Sequence, residues 1–204
     1  MSSRDEADGR AQVPPEAPED PTDGAEGARD GDSVTPPAVV SAPAPDLAPD
    51  ELRRALGRFV TGVTIVTCRD ATGEPVGLTA NSFNALSLDP PLVLWALRRL
   101  SSSIESFTSA THFTINVLAE GQIELSRHFA RPSQAKFEAG RWRDGQGGAP
   151  MLEGCVATFE CRRRSHHEAG DHVLFIGEVE RIGGSAAAPL VYHGGHYRAL
   201  GDPL

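Results

Sequence analysis

Cysteine is scarce in this chain of 204 residues: Cys68, Cys155 and Cys161 are odd in number, lie in or beside apolar runs and form no C-x-x-C pair. That spacing argues against both a disulfide framework and a structural zinc site. Long apolar runs are missing too, none approaching the roughly 20 residues of a bilayer span, and the N-terminus is acidic where a signal peptide has a basic segment before an apolar one. A soluble, cytoplasmic protein without membrane contact is expected. Also absent are G-x-G-x-x-G after a strand and a Walker-type loop ending in Gly-Lys-Ser/Thr, which disfavours a Rossmann dehydrogenase or a P-loop enzyme. Any nucleotide must be bound by another geometry.

Charge is unevenly placed. Met1 to Asp50 holds 12 Asp/Glu against 3 Lys/Arg, 9 of the 16 prolines and no aromatic residue. Such a segment cannot bury a core, so residues 1–47 are expected to be a disordered acidic, proline-rich tail and residues 48–204 the folded domain. The tail accounts for the whole formal charge of −9, and the remainder carries 16 acidic and 16 basic side chains. A balanced body lacks the basic face that nucleic-acid binding requires. Arg162 to Arg164 read as a solvated strand end rather than a phosphate site.

Along the body, "PDELRRALGRFV" predicts a short amphipathic helix with Asp50 as N-cap and Leu52, Leu56 and Phe59 on one face. "GVTIVTC", "PVGLTANSF" and "PLVLWAL" read as strands separated by the turn signals "DATGE" and "LDPP". "SSSIESFTSA" predicts a serine-capped helix, "HFTINVLAE" a strand, and "GQIELSRHFA" a helix with Ile123, Leu125 and Phe129 inside. "CVATFECRRR", "HVLFIGEVERI" and "PLVYHGGHYRAL" add late strands around glycine-rich turns. About six strands and three short helices, mostly close-spaced, favour a mainly β antiparallel barrel with appended helices over a doubly wound sheet. Residues 131–150, rich in glycine and charge, read as a long loop.

The histidines form no metal set: His166 and His167 are adjacent and point to opposite faces of a strand, while His193 and His196 flank a Gly-Gly turn without carboxylate support. His172 ends the turn Gly170-Asp171 and opens an apolar strand, which suits either an ordinary turn histidine or a side chain aimed into a cleft. No Ser-His-acid arrangement stands out, and Ser101 to Ser103 lack a G-x-S-x-G elbow. The stretch "GLTANSF" puts small polar residues in the middle of a strand region. Exposed backbone groups there, with hydrogen bonds from Thr79, Asn81 and Ser82, suit a flat polar heterocycle, and they equally suit a strand with a polar outer face.

"TGVTIVT", "GLTANSFNALSLDPPLVLWAL", "SSS", "FTINVL", "GDHVLFIGEV" and "PLVYHGGHYRAL" occur in an order and spacing that resemble the short-chain flavin reductases, the reductase components of two-component flavin-dependent monooxygenases. The resemblance spans Leu52 to Leu200. It implies an antiparallel split β-barrel, a homodimer, FMN or FAD near the subunit interface, and NADH or NADPH as hydride donor. By motif position it places Thr79, Ala80, Asn81 and Ser82 along the isoalloxazine and ribityl, with Ser87 and Asp89 shaping the same edge. Ser101, Ser102 and Ser103 match the turn at the flavin phosphate, where helix-start N–H groups favour an anion. His172 falls beside the nicotinamide as the catalytic residue, with Tyr197 approaching the same pocket. Lys136 and Phe137 fall on a loop that touches phosphate or adenine, although no acid precedes Lys136 as in the family pattern.

The implied reaction is hydride transfer from NAD(P)H to flavin, after which reduced flavin passes to a partner oxygenase. Such chemistry needs ring stacking and hydrogen bonds rather than a strong acid or base. The alternatives are a flavin-binding electron carrier, which would lack a nicotinamide site, and an FMN-dependent split-barrel oxidase, which would need a basic pocket for a substrate phosphate.

Overall fold

Strand alternation dictates most of the architecture. The computed structural model describes residues 48–133 and 135–203; the tail expected over 1–47 lies outside the described residues. The chain runs through helix α1 (Pro49–Leu56), strands β1 (Thr61–Gly62), β2 (Thr64–Arg69), β3 (Pro75–Ala80), β4 (Asn84–Leu88) and β5 (Pro91–Arg98), helix α2 (Ile104–Ser109), strand β6 (His112–Val117) and helix α3 (Ile123–Phe129). There follow β7 (Trp142–Asp144), β8 (Pro150–Leu152), the long hairpin β9 (Ala157–Ala169) and β10 (His172–Gly184), and finally β11 (Leu190–His193) and β12 (His196–Ala199).

Seven strands form one antiparallel sheet in the order β3-β2-β6-β9-β10-β5-β4. In β5, Val93, Trp95 and Leu97 are buried while the residues between them are only partly covered, the period of two that turns alternate side chains to opposite faces. Val66 of β2, Phe113 and Ile115 of β6, Cys161 of β9 and Phe175 of β10 meet those residues in one cluster, closed by Phe107 of α2. A single cluster fed from β2 and β5, strands separated by three others in the sheet order, fits a sheet that curls into a barrel. Trp95 anchors it, stacked on Phe175 at 4.7 Å and met edge-on by Phe107 at 4.9 Å. A second cluster (Val63, Ile65, Leu118, Phe129, Leu152, Leu190) lies across β2, beneath α3 and β11. Strand β2 is therefore buried from Thr64 to Cys68 without alternation.

Four expectations need correction. Helix α1 starts at Pro49 with Ala48 in the cap position and no capping side chain; Asp50 lies in the first turn, bonded to Arg53 at 2.6 Å. Proline at the first helical position and an acid beside the N–H ends serve in place of a side-chain cap. Helix α1 buries none of its residues, and Leu56 is 65% exposed. Helix α2 likewise has no side-chain cap at Ser103, and is held by Phe107 in the core.

Half of the expected loop over 131–150 is ordered into 3-10 turns at Lys136–Glu138 and Gln146–Gly148, strand β7 and the start of β8. Trp142 organises it, its indole N–H donating to the Ala139 carbonyl at 2.7 Å while its ring packs on Phe129 and Phe137. Gly140, Gly147 and Gly148 take positive φ, which lets so glycine-rich a segment turn tightly. Finally, Arg162 to Arg164 lie within β9 rather than at a strand end: Arg162 bonds Glu178 at 2.8 Å, Arg163 donates to the Ala110 carbonyl, and Arg164 faces Glu178. That segment offers no basic pocket of the kind an oxidase for a phosphorylated substrate would need.

Candidate active site

The β2–β3 ladder ends at the pair Thr64 and Ala80, and β4 does not begin until Asn84. Between them the backbone of Asn81 to Phe83 belongs to no strand, and it borders a cavity of about 1030 Å³. Thr79, Ala80, Asn81 and Ser82 line that cavity together with Ala96, Arg98, Ser101, Ser102, Ala130, Pro132 and His172. The small polar residues therefore stand where the sheet stops pairing, at the wall of a ligand-sized space.

Their side chains divide into scaffold and free groups. The Ser82 hydroxyl donates to the Ala96 carbonyl at 2.9 Å and accepts from the Ala96 N–H at 3.0 Å, taking the place of a strand partner on β5. Thr79 donates to the carbonyl of Ser126 at 2.7 Å, and the Ala80 carbonyl accepts from Thr64 at 2.8 Å. Asn81 makes one long contact, 3.4 Å to the Thr61 hydroxyl, and is exposed. It is the side chain of this segment with hydrogen-bonding capacity left over.

Opposite this segment, β5 and β10 pair antiparallel with His172 in register with Arg98. The β9–β10 turn uses Gly170 at φ 61, a left-handed conformation that suits glycine. It presents Asp171 and His172 side by side, with His172 Nδ1 2.7 Å from the Asp171 carboxylate. That hydrogen bond, then the imidazole charge and more weakly Arg98, hold Asp171 below the usual carboxylate range. With Nδ1 committed to Asp171, Nε2 is left for a ligand.

A second cavity of about 630 Å³ adjoins the first through Ser102 and Pro132 and is lined also by Ser103, Lys136, Phe137, Asp70 and Glu74. Lys136 does not offer its charge freely: the ammonium donates to the carbonyls of Gly77 at 3.0 Å and Phe129 at 3.1 Å, and burial lowers its pKa. It ties the Lys136–Glu138 turn to β3 and α3. A third, smaller space of about 200 Å³ is shared by Thr79, Ala80, Asn81, Ala130, Val63, Tyr192 and Tyr197.

The structure thus gathers Thr79 to Ser82, Ser101, Ser102 and His172 around one cavity, and sets Ser103, Lys136 and Phe137 in the next. Tyr197 lines the smaller space, which shares Thr79, Ala80, Asn81 and Ala130 with the cavity that His172 lines. Ser87 and Asp89 line none of these spaces: Ser87 pairs with Leu92 along β4, and Asp89 is exposed in the β4–β5 turn. Arg98, Ala130, Pro132 and Tyr192 join the lining without a prior signal, because only strand register and the packing of α3 bring them there.

The flavin reductase like domain family matches residues 56–201. A probable flavin reductase of Rhizobium meliloti is 49% identical over 149 residues, 73% of this chain but only 48% of its own length. The NADH-dependent FMN reductase SmoA of Agrobacterium fabrum is 46% identical over 71% of this chain and 82% of its own. Among solved structures, the NADH:FAD oxidoreductase SgcE6 of Streptomyces globisporus, in complex with NAD and FAD fragments, superposes with a TM-score of 0.71 at 39% identity, covering 74% of this chain and 92% of that one. The curled antiparallel sheet, with its cavity where β3 breaks off, is accordingly the split barrel of these enzymes, and the chain belongs to the flavin reductase like family.

Proposed function

We propose that this chain is an NADH-dependent flavin reductase (EC 1.5.1 type) that supplies reduced FMN or FAD to a partner monooxygenase. The observation that carries the reading is the meeting of Asn81, the unpaired backbone of 81–83 and His172 around one cavity of about 1030 Å³ in a chain of this family. Relatives named as reductase components of a trigonelline monooxygenase and of the HsaB type support a partner oxygenase.

The residues present fit a flavin. Ala80 leaves room for a ring against the backbone, Asn81 has an amide to spare, and the cavity is at the large end of those that hold small molecules, about 300 to 1000 Å³. Bound flavin supplies the hydride acceptor, and nicotinamide the donor, so the protein's task is to hold two rings about 3 to 3.5 Å apart and exclude water. Asn81 and the free N–H groups of 81–83 would bond the polar edge of the ring. His172, fixed through Nδ1 by Asp171, would orient the nicotinamide with Nε2. Ser82 and Thr79, their hydroxyls spent on Ala96 and Ser126, keep the cavity wall in shape.

A cytoplasmic location belongs to the same proposal, and no helix among the described residues is long and apolar enough to cross a membrane. A homodimer is part of the same proposal, and Leu56, Phe59 and Leu88, at 65, 73 and 95% exposure, are apolar side chains that it would cover. The test is anaerobic: excess FMN or FAD is mixed with catalytic amounts of protein and either NADH or NADPH, and the visible flavin band is followed. Multiple turnovers with NADH are expected. Flavin binding without bleaching by either nucleotide would mean an electron carrier instead.

A further inference from the structure

We propose that Arg98 anchors a phosphate group in the cavity, an assignment that rests on the flavin reductase reading. Arg98 ends β5 as an exposed residue on the face opposite Trp95 and Leu97, and with Ala96 of its own face it lines the cavity. Its carbonyl accepts from the Ser101 N–H at 2.9 Å, a tight turn that brings Ser101 and Ser102 to the wall of the same cavity. It faces His172 across the ladder.

Elimination points the same way. Any flavin nucleotide or nicotinamide dinucleotide carries at least two negative charges into this space. Among the residues lining the two adjoining cavities, Arg98 and Lys136 are the only arginine and lysine. Lys136 is committed to two backbone carbonyls, and Asp70 and Glu74 share its cavity and repel an anion. Of the neighbouring arginines, Arg99 faces Glu168 at 3.6 Å and Arg127 bonds Glu124 at 2.5 Å, while Arg131 lines a separate cavity with Glu124, Arg127 and His128. Among the described residues, the Arg98 guanidinium has neither a hydrogen bond nor an ion pair with another side chain or with the backbone, although Asp171 lies within reach of its field. A planar fork of donors without a partner, at the wall of a cavity that must accept a phosphate, is matched to a phosphate's oxygens. Ser102, which borders both cavities, adds a hydroxyl at the same place.

The phosphate is either the flavin's own or the donor's diphosphate, and riboflavin, which lacks one, separates the two. The full chain, as wild type, Arg98→Met and Arg98→Lys, is assayed with FMN and with riboflavin at varied NADH, and flavin binding without NADH is measured by fluorescence quenching. If Arg98 holds the flavin phosphate, Arg98→Met weakens FMN about tenfold or more in both measurements and leaves riboflavin within twofold. If it holds the donor, the KM for NADH rises by a similar factor with either flavin, and flavin binding is unchanged. In both cases Arg98→Lys lies between, because it keeps the charge and loses the fork. FMN, riboflavin and NADH all within twofold of wild type in Arg98→Met overturn the proposal, as does an equal loss of FMN and riboflavin binding. A wild-type chain that reduces no flavin would refute the reductase reading while leaving the comparison of FMN with riboflavin binding as the test of Arg98; should Arg98→Met not fold, Arg98→Lys and competition of FMN by inorganic pyrophosphate on the wild type decide.

Discussion

The hydroxyl of Ser126 lies 2.8 Å from the phenol oxygen of Tyr197, joining helix α3 to strand β12 across 71 residues of sequence. Ser126 is fully buried, and its carbonyl takes the Thr79 hydroxyl, so one residue braces two walls of the smaller cavity. Tyr197→Phe leaves a buried hydroxyl unpaired and is expected to cost about 1 to 2 kcal/mol. Ser126→Ala should cost a similar amount, and the double variant clearly less than the sum, because the second change removes a bond already broken. Urea midpoints of the four proteins test this; additive losses would mean that the two oxygens do not interact.

His172 and Asp171 act as a pair in the proposed site. His172→Ala is expected to slow flavin reduction by NADH about tenfold while leaving the melting temperature unchanged, since the imidazole is part-exposed and packs in neither hydrophobic cluster. Asp171→Asn keeps a weaker acceptor for Nδ1 and should give a smaller loss. Stopped-flow reduction at saturating flavin measures both. A His172→Ala enzyme with unaltered NADH kinetics would remove the histidine from the site.

Asn81→Leu removes the one amide of its segment that the scaffold does not use. Flavin affinity should fall about tenfold, the worth of one hydrogen bond at the upper end of its usual range, with little change in stability because the residue is exposed. A fluorescence titration that finds equal affinity would place the ring elsewhere.

What the sequence could disclose depended on whether a feature is local. Alternation in "PLVLWAL" and the apolar spacing in "GQIELSRHFA" are local, and β5 and α3 formed as expected. The motif order pointed to the cavity wall at Thr79 to Ser82 and to His172. The side-chain assignments went less far, because Thr79 and Ser82 are hydrogen-bonded to Ser126 and Ala96, partners that only the tertiary fold supplies. Arg98 was illegible for the same reason: nothing in "ALRRLSSS" separates it from Arg99 until register sets one opposite His172 and the other near Glu168. The ordering of 131–150 was hidden because Trp142 draws its stability from Phe129 and Phe137 rather than from any periodicity of its own.

Gly177 shows the same dependence on packing. It lies at an irregularity in the β9–β10 ladder, and an added Cβ would run into the Phe113 ring and come within 2.9 Å of Cys161 Cβ. Gly177→Ala is expected to cost about 1 to 3 kcal/mol through overpacking. The melting temperature should fall by several degrees, and Gly177→Ala combined with Phe113→Leu should recover part of the loss. No recovery would mean that the backbone, not the ring, is the obstacle.

The three thiols give the stability a definite alkaline limit. Burial pushes Cys68, Cys155 and Cys161 each from about 9 up to about 12, with the charges of Asp70, for Cys68, and of Glu180 and Glu160, for Cys161, adding to the effect. Each folded pKa is raised above its unfolded value, so the thiols favour the fold fully below pH 9. Above that the unfolded chain loses protons that the folded chain retains, and stability falls as pH rises toward 12, by up to about 1.4 kcal/mol per pH unit for each thiol. Urea midpoints at about pH 8 and about pH 10 should therefore differ, and the difference should shrink in Cys68→Val. A thiol reagent at about pH 8 should modify none of the three until urea unfolds the chain, since the thiolate is the reacting form and all three are buried. Rapid labelling of the native protein would show that at least one thiol reaches solvent, and would remove that thiol from the alkaline argument.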